Sequence, residues 1–88
     1  MKSPVCGGFS EERMIDEAAL HVFNAHRAQI EQKLQATNFE PETYSEQVVA
    51  GMNYLFHGTV NGKKFKVKIF VPLHHLNAQS ELLECKYH

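Results

Sequence analysis

The stretch that decides how this chain is read is Gln47-Val48-Val49-Ala50-Gly51, followed at once by Met52-Asn53-Tyr54-Leu55-Phe56. A half-buried strand alternates apolar and polar residues. Here Val48, Val49 and Ala50 run together, fenced by Gln47 and Gly51, before a second strand-like run begins. An apolar run that ends in glycine between two strands reads as the tip of a β-hairpin. Apolar side chains at a tip stay in water unless a partner covers them, so the pattern marks a binding surface. The competing reading of these five residues alone is a buried strand segment with an incidental glycine.

Outward on the C-terminal side, the pattern stays that of strands. Gly58 marks a bulge or a close approach by a helix. Asn61-Gly62 is a strong short hairpin signal and predicts a type I′ turn. Phe65, Val67, Ile69 and Val71 then alternate with Lys64, Lys66, Lys68 and Phe70, as a strand with one buried face does. Pro72 breaks that strand, residues 73–79 read as a loop, and residues 80–87 as the last strand.

Outward on the N-terminal side, the period changes. Ile15, Ala19, Val22, Phe23, His26, Ile30 and Leu34 recur at steps of three and four, one apolar stripe on a long helix. Ser10 is placed as its N-cap, with Glu11 and Glu12 in the first turn, although Arg13 leaves the capping box incomplete. Thr37 and Asn38 end the stripe, and Pro41 pushes Glu40 into extended backbone. Residues 1–9, with Pro and Gly, read as a flexible arm. The expected fold class is α+β, one long N-terminal helix packed on an antiparallel sheet of about four to five strands.

The chain has 88 residues, which bounds it to a single domain, 1–88, with a small core. A formal net charge of −1 gives no electrostatic footprint for nucleic acid. No run is long enough for a membrane span, and the first residues lack the apolar core of a secretory signal, so either the protein is cytoplasmic, the expectation adopted, or the sequence is already in its mature form. Cys6 and Cys85 are too few and too far apart for a disulfide scaffold or a zinc spacing.

The pentapeptide is also the Q-x-V-x-G signature of the cystatins, and the chain resembles the stefins, the single-domain branch without disulfides. Cys6-Gly7-Gly8-Phe9-Ser10-Glu11 looks like the stefin N-terminal trunk. The run from Gln47 to Tyr54 is similar to the first hairpin, and Phe70-Val71-Pro72-Leu73-His74-His75-Leu76-Asn77 to the second hairpin loop. The resemblance implies a cystatin-like fold and a reversible tight-binding inhibitor of papain-like cysteine proteases such as the cathepsins. It implies no enzyme activity, cofactor or metal. In the family, the trunk and two loops line up as a wedge that obstructs the active-site cleft. Carried over, Val5, Cys6, Gly7 and Gly8 take the non-primed side, Gln47, Val48, Val49, Ala50 and Gly51 the middle, and Leu73 and His74 the primed side. His74 stands where most stefins have proline, and Leu76 where a polar residue is common.

Other readings belong to different classes. One is a protein-interaction module on the same fold that no longer inhibits; another is a small nucleic-acid-binding domain using Lys63, Lys64, Lys66 and Lys68. A solvated strand face that discourages edge pairing accounts for those lysines more simply. His74-His75 has no partners at ligand spacing, and Cys6 on a flexible arm lacks anything to position it as a nucleophile. A monomer is expected, and a long first hairpin leaves room for a domain-swapped dimer.

Overall fold

The computed structural model describes residues 8–73 and 79–88. Five antiparallel strands form one sheet in sequence order: β1 (Arg13–Met14), β2 (Glu40–Val49), β3 (Gly51–Val60), β4 (Lys63–Pro72) and β5 (Glu81–Tyr87). Between β1 and β2 come two helices, α1 (Glu17–Asn24) and α2 (Arg27–Leu34). The α+β class is as expected, and the β3–β4 turn has positive φ at Asn61 (52°) and Gly62 (82°), as a type I′ turn requires.

The single long helix is not what forms. Ser10 does not cap a helix. Its N–H donates to Glu46 O at 2.8 Å and its Oγ accepts the Glu46 N–H at 3.0 Å, which fastens this segment to β2. A strand edge with open carbonyls competes for these residues, and the incomplete capping box offers little against it. Asp16 takes over as N-cap, accepting the Ala19 N–H at 2.8 Å through Oδ1. The helical run then breaks at Ala25–His26, where the His26 N–H turns back to Phe23 O at 3.0 Å. The His26 Nε2 lies 2.7 Å from Ser80 Oγ, and Arg27 Nη1 donates to Phe39 O at 2.9 Å, so the break is held by contacts far away in sequence.

The apolar stripe survives the break. Ala19, Phe23 and Ile30 are buried against Phe56, Phe65, Val67 and Ile69 of the sheet, and Ile15, Val22 and Leu34 pack at the margin. Phe23 meets Phe56 edge-on with ring centroids 5.3 Å apart, and Phe39 meets Phe65 likewise at 5.1 Å. Burying each ring stabilises the fold by about 1.5–3 kcal/mol before the cost of ordering it. Gly58 answers to a neighbouring strand, not to a helix. A Cβ there would run into Glu40 O and lie 2.8 Å from Pro41 Cα, beside a register shift between Pro41 and Thr43. No helix among the described residues is long and apolar enough to cross a membrane.

Candidate functional site: the sheet end at the β2–β3 turn

The β2–β3 hairpin closes on very little chain. Val49 pairs with Gly51, which leaves Ala50 alone at the apex. Gly51 has φ of +136°, a backbone region that side-chain-bearing residues rarely enter, and it is buried. Val48 is 66% and Val49 39% exposed, so the apolar run does stand in solvent. Strand alternation puts these two side chains on opposite faces of the sheet.

Register brings other predicted residues to the same end. Gly51 pairs with Pro72 of β4, so Leu73, 52% exposed, follows directly beside the tip. The Ser10–Glu46 bonds run the N-terminal segment antiparallel to β2, which carries Gly8 toward Val48. Gly8 is exposed, with nothing within 4 Å of the place a Cβ would occupy. Gln47 accepts a hydrogen bond from Asn53 Nδ2 at 2.8 Å across the hairpin. Val5, Cys6, Gly7 and His74 lie outside the described residues.

Among the described residues, the electrostatics are those of an apolar edge with charge behind it. No charged side chain occurs from Gln47 through Phe56. Burial pushes the Tyr54 hydroxyl above its ordinary value, helped by Glu46, so this ring stays neutral at physiological pH. Arg13 pairs with Glu46 at 3.3 Å where the N-terminal segment joins the sheet. Among the described residues at the tip, none supplies a nucleophile or a general base. Its chemistry is contact.

Away from the tip, no group of three His, Cys, Asp or Glu among the described residues could hold a metal ion. Lys64, Lys66 and Lys68 stand on the face of β4 opposite Phe65, Val67 and Ile69, and Lys68 Nζ lies 5.9 Å from the Phe9 ring centroid. Cys85 is a free, half-buried thiol, raised above its ordinary pKa by desolvation. Sequence reasoning missed both uses of Asp16, as the cap of α1 and through Oδ2, which accepts the Tyr44 hydroxyl at 2.7 Å and ties α1 to β2. An Asp just before Glu17-Ala18-Ala19 was the available signal for the cap.

These features define a small α+β protein whose distinctive surface is one apolar end of an antiparallel sheet. No protein-family model matches the chain. Among curated proteins it is similar to Cystatin-A1 of Sus scrofa, 33% identical over 79 residues that span 86% of this chain and 77% of the relative. The chain belongs to the cystatins, in their stefin branch.

Proposed function

We propose that this protein is a reversible, tight-binding inhibitor of papain-like cysteine proteases of the cathepsin type. The observation that carries this reading is the solvent-exposed Val48-Val49-Ala50 tip with Leu73 beside it on the same sheet end. Val48, Val49 and Ala50 would fill the middle of the cleft, with Gln47 and Gly51 shaping their turn. Leu73 and His74 would contact the primed side, and Val5, Cys6, Gly7 and Gly8 the non-primed side. A paired hairpin loses little freedom on binding, which favours affinity. Interfaces of this class bury on the order of 800 Å² per partner and concentrate their energy in a few anchors. The wedge obstructs without offering a scissile bond to the nucleophile. The proposed setting is the cytoplasm, with the protein acting as a monomer.

The test is titration of the purified protein into active-site-titrated papain and cathepsin L, following hydrolysis of a peptide substrate. Stoichiometric loss of activity at about nanomolar protein, with the inhibitor chain intact afterwards, is expected. Full protease activity at micromolar protein would overturn the reading.

A further inference from the structure

Directly below the tip, a transverse row of side chains crosses three strands on the sheet face that Val49 shares. Gln47 of β2 stands opposite Asn53 of β3, and Asn53 opposite Phe70 of β4. Asn53 bridges to Gln47 at the base of the turn. Phe70 acts on the turn itself. A Cβ on Gly51 would lie 2.9 Å from Phe70 Cε1 and 3.0 Å from Cζ, so the ring occupies the space the glycine leaves open. That cover accounts for a buried glycine at the end of a sheet.

The same row carries a cost. Asn53 Oδ1 is buried without a hydrogen-bond partner among the described residues. A buried acceptor left unpaired loses its hydration without a replacement bond, so an apolar side chain would serve stability better. An asparagine held there suits the fixing of a neighbour more than the stabilising of the fold.

We propose that Asn53 and Phe70 are positioning residues for the hairpin tip. Asn53 fixes the orientation of Gln47, and Phe70 backs Gly51, so the apolar run is held in one conformation before any partner arrives. The effect on affinity rests on the inhibitory reading above, whereas the positioning does not.

The experiment compares Phe70→Ala, Phe70→Tyr and Asn53→Ala with the unmodified protein by two readouts. Amide hydrogen exchange of residues 47–53 is followed by NMR in the free protein, and dissociation from papain is followed by stopped flow. In Phe70→Ala and Asn53→Ala, exchange at residues 48–51 is expected to rise about tenfold while Phe65 and Val67 keep their protection. Dissociation is expected to speed up about tenfold with association nearly unchanged, and Phe70→Tyr, which keeps the ring, restores both. Unchanged exchange at the tip in both alanine variants would overturn the proposal. Exchange that rises equally across the sheet would also overturn it, because that marks lost stability alone. Faster dissociation with unchanged exchange would reassign Phe70 to direct contact with the protease. Should the unmodified protein fail to inhibit, the inhibitory reading falls, and exchange alone still decides the positioning.

Discussion

At the scale of single residues, Gly51 meets two demands at once. Its φ of +136° suits glycine alone, and its open side is filled by the Phe70 ring and Val71 O. Gly51→Ala is therefore expected to lower the unfolding free energy by about 1–3 kcal/mol, read from urea denaturation. Unaltered stability in that variant would contradict the backbone described here. Val48 gives the opposite case. Its side chain is two-thirds in solvent, so Val48→Asp should leave stability within about 0.5 kcal/mol. The same substitution should weaken papain inhibition at least tenfold (about 1.4 kcal/mol), as loss of an apolar anchor does. A substitution that spares the fold and removes the inhibition separates tip from core.

At the scale of elements, β2 to β5 were legible in the sequence, whereas β1 falls in the run read as the start of the helix, and the helix was legible only in part. Phe65, Val67 and Ile69 are fully buried, as the alternation on β4 demanded, because a strand's period is local to it. The apolar stripe from Ala19 to Leu34 was likewise visible, and Phe23→Ala should cost about 3–5 kcal/mol in a thermal or urea melt. What could not be read was where the helix starts and where it breaks. Ser10 has the chemistry of a cap, but its partner is Glu46, 36 residues away. His26 sits in the stripe like any half-buried residue, but Ser80 holds it from 54 residues away. Partners that remote leave no mark in a local window. Asp16, the cap that does form, yields a pH prediction. The Ala19 N–H and then the Tyr44 hydroxyl hold its carboxyl below the ordinary value. A depressed carboxyl contributes stability above its unfolded-state pKa and loses it as pH falls through the folded value. The stability gap between the unmodified protein and Asp16→Asn should thus be constant near neutrality and close progressively below about pH 4.

At the scale of the whole molecule, the sheet's outer face links the N-terminal segment to the far end of the chain. Glu12 lies 3.7 Å from His57 Nδ1, and the His57 and His88 rings stack at 5.4 Å. Desolvation lowers the His57 pKa, with His88 and Lys66 adding to the effect and Glu12 opposing it. The unfolded chain therefore takes up this proton at higher pH than the folded one, and stability should decline as pH drops below about 6.5. His57→Gln should flatten that part of the pH profile, and an unchanged slope between about pH 6.5 and 5 would exclude His57 as its source. The placement of the candidate site was legible only at this scale too. Gln47–Gly51 could be picked out as a tip, but its proximity to Leu73 depends on Gly51 pairing with Pro72. That pairing holds the two apolar points on one frame, which under the proposed inhibition would act as a bivalent ligand. Leu73 would then meet its counterpart at a high effective concentration once the tip is seated. Leu73 should then act chiefly on how long a complex lasts, not on how fast it forms.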